Sequence, residues 1–318
     1  MESNARAKIT TVTLNAAIDK TYYVPTWAKG TVMRAEKVLS MAGGKGVNVA
    51  RVLHQLGHPA MAATGFASGY NGRFISDQVQ ELGIESEFVG AIGESRLCLN
   101  FIDGRDGSST EVLEQGPEIL EEHLENFKRK LTRLSAESAL VIFSGSIPRG
   151  LSPSLYAELI GITRAEGAEV FLDASGAPLT QGLVAKPGFI KPNEEEIVPF
   201  LAGDGYGNLF DGVSSLMNQG VANVVVTLGG EGAVAGIDGS HYRVRTPKLD
   251  VVNTVGCGDA FVAGYAYGFV RKWTAVECLK HAAAAGCANA LSPAAGDIRL
   301  SDHRRLLREI EVEAWNRE

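Results

Sequence analysis

Cysteine is sparse in this chain and poorly spaced for metal. Cys98, Cys257, Cys278 and Cys287 form no CxxC pair, and no Cys/His cluster recurs at zinc-ligand spacing, so a structural zinc site is excluded. Cys278 and His281 lie one turn apart and read as a buried helix face. Positive charge is also short: 30 Lys and Arg against 37 Asp and Glu leave a net charge of −7. That speaks against a nucleic-acid surface but leaves room for a local basic pocket that takes a small anion. No window approaches the ~18 uninterrupted apolar residues of a membrane-spanning helix. The N-terminal stretch MESNARAKITTVTLN has no apolar signal core. A cytoplasmic location with reduced thiols, and neither a membrane nor a nucleic-acid partner, is the expectation. Low-complexity tracts, internal repeats and Pro/Ser-rich linkers are missing as well.

Of the 318 residues, 45% are apolar and 21% charged, enough for a large packed core. Short runs rich in Val, Ile and Phe read as strands buried on both faces: ITTVTL (9–14), AMAATGF (60–66), SEFVGAI (86–92), SALVIFSG (138–145), AEVFLDA (168–174), PGFIKP (187–192) and NVVVTLGG (223–230). Helical patterns alternate with them over 46–57, 73–83 and 152–167. The first two close on Gly57 and Gly83; the third opens Ser-Pro and closes on Gly167. The last third reads as helix over 258–271, 274–290 and 301–316. This alternation predicts a parallel, doubly wound α/β sheet. Two stretches break the rhythm. Residues 15–41 lack a clean helix and carry Tyr22, Tyr23, Val24 and Trp27. Residues 93–115 alternate as LCLNFID, turn at an Asp-Gly and continue as TEVLE, a hairpin pattern. The expected organisation is one α/β domain over 1–318 with a small β lid formed by about 15–41 and 93–115. The apolar residues of the first stretch favour a homodimer through that lid.

Four glycine clusters bear on chemistry. MAGGKGVNVAR (41–51) opens a helix, where free N–H groups and Lys45 favour an anion. It is no Walker A loop, since Leu39 occupies the first glycine position and neither Ser nor Thr follows the lysine. TLGGEGAVAG (227–236) satisfies a GxGxxA spacing, but AVAGIDGSHYRVR after it reads as a hairpin, whereas a dinucleotide site needs a helix. FSGSIPRG (143–150) ends a strand, the place where ligands collect in such sheets. In NTVGCGDAFVAG (253–264), Gly256, Cys257 and Gly258 precede an apolar run that forms a buried helix. The N–H groups of 256–259 then suit a phosphoryl oxygen, and Asp259 stands where it can take a proton from an attacking hydroxyl. The plainer alternative is an aspartate capping an ordinary turn.

NTVGCGDAFVAG and AGGKGVNVAR resemble the C-terminal and N-terminal signatures of the ribokinase-like carbohydrate kinases, in the right order. TLNAAIDKTYYV, SRLCLNF, SGSIPRG, DASGAPL and KPNEEE are most similar to the branch that holds 1-phosphofructokinase and tagatose-6-phosphate kinase. The resemblance implies a ribokinase-like α/β fold with a β lid, ATP and Mg2+ as cofactors, and a sugar phosphate as substrate. The favoured reaction turns fructose 1-phosphate into fructose 1,6-bisphosphate. The alternatives are tagatose-6-phosphate kinase, 6-phosphofructokinase and, outside catalysis, a sugar-phosphate sensor.

It further implies Asp259 as general base, with the backbone of Gly256, Cys257 and Gly258 as anion hole. Asp19 would bind sugar hydroxyls. Gly43, Gly44, Lys45 and Asn48 would contact the sugar or its phosphate, and Arg96 would grip that phosphate, with Asn100 beside it. Asn193 and Glu196 form the family's NxxE, tied to magnesium through water, and Lys191 neighbours a phosphate. Thr227, Gly229 and Gly232 would line the ATP site, with Asn289 near the adenine. Three positions depart from the usual pattern: Asn253 for aspartate, Cys257 for alanine or serine, and Ala16 for proline. A cysteine at a helix N-terminus is expected to have a lowered pKa and to react with thiol reagents.

Overall fold

A computed structural model describes residues 7–201 and 209–315. The apolar runs form strands wherever both faces can be covered. In chain order the first half holds β1 (Lys8–Thr13), β2 (Ala17–Val24), β3 (Lys37–Gly43), α1 (Lys45–Gln55), β4 (Met61–Phe66), α2 (Gly69–Glu81), β5 (Glu85–Val89), β6 (Arg96–Asp103), β7 (Ser109–Leu113), α3 (Glu121–Glu137) and β8 (Ser138–Ser144). Then come α4 (Leu155–Ala165), β9 (Glu169–Asp173), α5 (Gly176–Gly182), β10 (Phe189–Ile190), α6 (Glu194–Ile197), α7 (Leu209–Asn218), β11 (Asn223–Thr227), β12 (Ala233–Ile237), β13 (Ser240–Arg245), α8 (Cys257–Phe269), α9 (Ala275–Ala290), α10 (Leu300–Leu306) and β14 (Glu311–Ala314).

The main sheet runs β14-β13-β12-β11-β10-β9-β8-β1-β4-β5. From β5 to β11 all neighbours are parallel, and β12, β13 and β14 extend it antiparallel. Strand alternation splits the core in two. Ile9, Leu140, Ile142 and Phe171 face one cluster with α1, α8 and α9. Val12, Val141, Phe143 and Leu172 face the other with α3 and α4. Both faces are covered, so the central strands carry apolar residues on both sides, with Thr10, Thr11 and Thr13 of β1 buried among them.

A second sheet, β3-β2-β6-β7, stands apart. Its parallel β2–β6 pair joins two antiparallel ribbons, one of them the anticipated LCLNFID/TEVLE hairpin. The aromatic residues here are less exposed than the sequence suggests. Tyr22 and Trp27 pack on Phe101, with ring centroids 5.2 and 4.5 Å apart, and Val24 is buried. Exposed apolar side chains in the lid are instead Val32, Val38, Val112 and Leu113.

Three sequence expectations need correction. The helix expected over 301–316 ends at Leu306, and 311–314 pairs with β13 as an edge strand. There Ile310 is buried and Arg245 bridges Glu313 at 2.9 Å, anchors the free edge of β13 makes available. Pro153 lies in the turn before α4, which begins at Leu155, not at the first helical position. Helices α3 and α7 add to the expected elements; in α3, Leu124, Phe127, Leu131 and Leu134 keep helical spacing and are buried.

Helix α8 is fixed to the sheet by aromatic packing: Phe189 stacks on Tyr265 at 4.5 Å, and Phe171 meets Phe269 edge-on at 5.0 Å. Phe171→Ala should therefore lower the unfolding free energy by about 3–5 kcal/mol. Urea denaturation checks this, and a loss under about 1 kcal/mol would contradict the assigned packing.

Candidate active site

Ligand sites in sheets of this kind lie beyond the carboxyl ends of the strands. Here a cleft of about 1100 Å³ opens there, walled by both sheets. Asp19, Arg96, Cys98 and Asn100 line it from the small sheet; Lys191, Thr227 and the 229–232 turn line it from the large one. Lys45 and Asn48 of α1 and the mouth of α8 complete the wall.

The mouth of α8 is shaped by Gly256, which takes a left-handed conformation (φ 83°, ψ −3°). A Cβ there would also stand 2.7 Å from the Gly296 backbone nitrogen, so only glycine fits. No side chain caps this helix. The Cys257 N–H reaches Thr254 O at 3.3 Å, while those of Gly258 and Asp259 have no acceptor among the described residues. The Lys191 amine stands beside them, 3.1 Å from where a Cβ on Gly258 would be. Unengaged helix-start amides next to an ammonium make an anion cradle.

Asp259 is 5% exposed, and its Oδ2 accepts a 2.8 Å hydrogen bond from Asn48 Nδ2. Burial pushes its pKa up to about 7; Lys45 opposes the rise, Asp173 adds to it, and the Asn48 bond and Lys191 oppose it. Asp173, at the end of β9, is 1% exposed and lies between the two lysines, 3.5 Å from Lys45 Nζ and 3.4 Å from Lys191 Nζ. Burial raises its pKa, but the two ammoniums outweigh that and leave it below the ordinary carboxylate value. Asp173 in turn holds the Lys45 pKa above the usual lysine value despite desolvation, with help from Asp259 and Glu196. Two cations and two carboxylates thus meet at one point, one carboxylate ionised and the other poised near neutrality.

At the small-sheet end, Asp19 has a pKa raised by burial, countered by Arg51 and Arg96. Gly43 lies directly on it: a Cβ at 43 would come within 2.2 Å of the carboxylate. Arg96 donates through Nε to Asn15 O at 3.1 Å. Cys98, next to Asp19 in strand register, has its thiol pushed up to about 11 by burial. Asn100 lines the cleft and accepts from Ser109 through Oδ1.

At the other end, Asn193 and Glu196 cap α6 reciprocally. Asn193 Oδ1 accepts from the N–H groups of Glu195 and Glu196 at 3.0 and 2.8 Å, and Glu196 Oε2 accepts from Asn193 N at 3.0 Å. Both still line the cleft. Among the described residues, no group of three or more His, Cys, Asp or Glu is arranged to hold a metal. Gly232 (φ 93°) would put a Cβ 2.1 Å from Val244 O, which fixes the turn after Thr227. Beyond it β12 and β13 form a hairpin where a dinucleotide site would need a helix.

Two expectations change. Asn289 does not line the cleft. It is buried behind it, donating to Val255 O at 2.8 Å and accepting from Asp297 N at 3.3 Å, so it braces the loop that leads into α8. The Cys257 thiol is raised, not lowered: burial pushes it up, the Asn289 amide only partly compensates, and the Asp259 carboxylate adds to the rise. Sequence reasoning misses Arg51, although Lys45, Asn48 and Arg51 form a polar stripe at i+3 spacing along α1, between apolar residues. Asp173 reads from the sequence only as a strand-end carboxylate.

Comparison with known proteins shows the family and the fold. The profile of the pfkB family carbohydrate kinases matches residues 10–301. A Staphylococcus epidermidis protein named tagatose-6-phosphate kinase is 36% identical over 309 residues, covering 96% of this chain and 99% of that protein. The fold is similar to phosphofructokinase-2 from Escherichia coli in complex with substrates and products: TM-score 0.89, 22% identity, 95% of this chain and 99% of that one. It is also similar to Arabidopsis thaliana ribokinase complexed with ribose and ATP: TM-score 0.75, 21% identity, 95% and 99% covered. At those identities the two structures speak for the fold alone.

A raised, half-covered thiol reacts slowly. Labelling with iodoacetamide at pH 8, followed by mass spectrometry, should modify Cys257 more slowly in the folded protein than in the denatured chain. Faster labelling of the folded protein would contradict a thiol raised by burial.

Proposed function

Because this chain belongs to the pfkB family of carbohydrate kinases, we propose that it moves the terminal phosphoryl group of ATP onto a ketohexose that already carries one phosphate. The observation that carries this reading is the buried Asp259 carboxylate at an uncapped helix mouth, flanked by Lys45 and Lys191. The ionised carboxylate takes the proton of the sugar hydroxyl as its oxygen attacks the γ-phosphorus. The bond from that phosphorus to the β,γ-bridging oxygen breaks, ADP leaves with the electron pair, and the proton rests on Asp259. The free N–H groups of Gly258 and Asp259 and the Lys191 ammonium receive the charge that builds on the transferred group. Gly256 and Cys257 hold those amides in place.

Asp19 binds sugar hydroxyls, with Gly44 on the cleft wall and Gly43, set behind it, making room for the Asp19 carboxylate. Lys45, Asn48, Arg96 and Asn100 form the end that holds the sugar and its existing phosphate, and binding energy there orients the hydroxyl. Thr227, Gly229 and Gly232 form the nucleotide end. Magnesium suits this donor set when it rides on the phosphates: it needs one or two carboxylates and otherwise keeps water. Glu196 is the ligand of choice and Asn193 its support, since the Asn193 oxygen already serves two N–H groups. Magnesium bound this way would neutralise phosphate charge. The small sheet acts as a lid that excludes water and pairs two subunits, for which the exposed Val38, Val112 and Leu113 are suited.

Fructose 1-phosphate is the acceptor favoured by the sequence signatures. The relative named tagatose-6-phosphate kinase supports tagatose 6-phosphate as the second reading. ADP release measured with fructose 1-phosphate, fructose 6-phosphate and tagatose 6-phosphate distinguishes them, and no release with any of the three would refute a sugar-phosphate kinase.

Asp259→Asn should lower kcat by about 10²–10⁴-fold with little change in acceptor KM; near-normal turnover would reject the base. The working form is the ionised one, and the raised pKa sits at about 7. Thus kcat/KM should be flat above that pH and fall about ten-fold per unit below it. A limb near pH 4 would contradict the buried carboxylate's role.

A further inference from the structure

Of the polar stripe on α1, only Arg51 has no part in that chemistry. Arg51 is 5% exposed. Asp19, Asp297 and Asp259 act on it through space, yet it forms no ion pair with any described residue. Its hydrogen bonds all go to neutral oxygens: NH1 to Asn48 Oδ1 at 3.2 Å and Ala295 O at 2.9 Å, and NH2 to Ala42 O. Burying a cation among neutral acceptors is costly, so the position calls for an explanation beyond packing.

The explanation lies in what an amide can do. Asparagine has one accepting end and one donating end, and arginine only donates. With NH1 on Oδ1, the Asn48 amide has a single orientation open to it, the one that turns Nδ2 to Asp259 Oδ2 at 2.8 Å. Turned over, the amide would face that carboxylate with a lone pair, an arrangement that suits only the protonated acid. A hydrogen-bond donor favours the charged carboxylate; an acceptor favours the neutral one. Residues behind the pair keep it from drifting. A Cβ on Gly296 would lie 2.8 Å from Asn48 Cβ, and Ala295 O receives the same NH1.

We propose that Arg51 is a positioning residue: it locks the Asn48 amide so that Asp259 is presented with a donor and remains a proton acceptor. This rests on Asp259 being the general base. The charged groups acting on Asp259 are Lys45 and Arg51 from α1, Asp173 from β9 and Lys191 beyond β10, and the Cys257 thiol stands on its own helix. Asp19 from β2 and Asp297 face Arg51. Arg51→Lys keeps the charge and leaves all of these in place while losing the fixed fork.

The test is the pH profile of kcat/KM for Arg51→Lys, alone and combined with Asn48→Ala, using the acceptor that gives turnover in the three-sugar panel. Arg51→Lys should move the rising limb upward by about one pH unit, with acceptor KM changed little. In the Asn48→Ala background the same change should move the limb no further, because the amide it orients is gone. A folded Arg51→Lys enzyme with an unmoved limb, or an equal shift in both backgrounds, overturns the proposal. Should the variant fail to fold, nitrogen-15 spectra of the wild-type enzyme decide: the Arg51 guanidinium signal should titrate with the activity limb, and a flat signal overturns it. If Asp259→Asn retains turnover, the base assignment has failed. If Asp259→Asn is inactive and the limb is unmoved in Arg51→Lys, only the positioning role has failed.

Discussion

The site depends on a carboxylate kept from water at the start of a helix. Asp259 is expensive to ionise there, and what makes ionisation reachable near neutrality is the company it keeps: Lys45, Lys191 and the Asn48 amide. Remove the cations and the group becomes an inert buried acid. Expose it to water and it becomes an ordinary one, with a pKa in the usual carboxylate range. Asp173 sets the balance by holding both ammoniums while adding its own negative field to Asp259.

The fold supplies each member from a different place and the same direction. Asp173 and Lys191 come from the carboxyl ends of neighbouring strands, Lys45 and Asn48 from the first turns of α1, and Asp259 from the first turn of α8. Strand order puts β9 beside β10, so the Asp173–Lys191 pair follows from sheet topology. The aromatic joint of Phe171, Phe189, Tyr265 and Phe269 then sets the height of α8 over the sheet. The glycines at 256 and 258 leave room for both the turn and the Lys191 amine.

Much of this is legible in the residues because its signals are local. Buried strands show as short Val/Ile/Phe runs, helix ends as Gly57, Gly83 and Gly167, and the helix mouth as Gly256-Cys257-Gly258-Asp259. The misreadings concern properties that no local pattern carries. The tail after Leu306 continues a helical pattern but finds an open sheet edge in β13. Cys257 has the address of a reactive thiol, yet neighbours distant in sequence bury it, and the same packing takes Asn289 out of the cleft. Arg51 belongs to this class too: its three acceptors sit on residues 42, 48 and 295, which only the fold brings together.

The most direct test of the proposed general-base role of Asp259 is a crystal structure of the protein with ADP, aluminium fluoride and a sugar phosphate that it turns over. The expected result is the acceptor hydroxyl within about 3 Å of an Asp259 oxygen and the fluoride bound by the N–H groups of Gly258 and Asp259. A fluoride held elsewhere in the cleft, or an Asp259 carboxylate beyond hydrogen-bond reach of the hydroxyl, would contradict it.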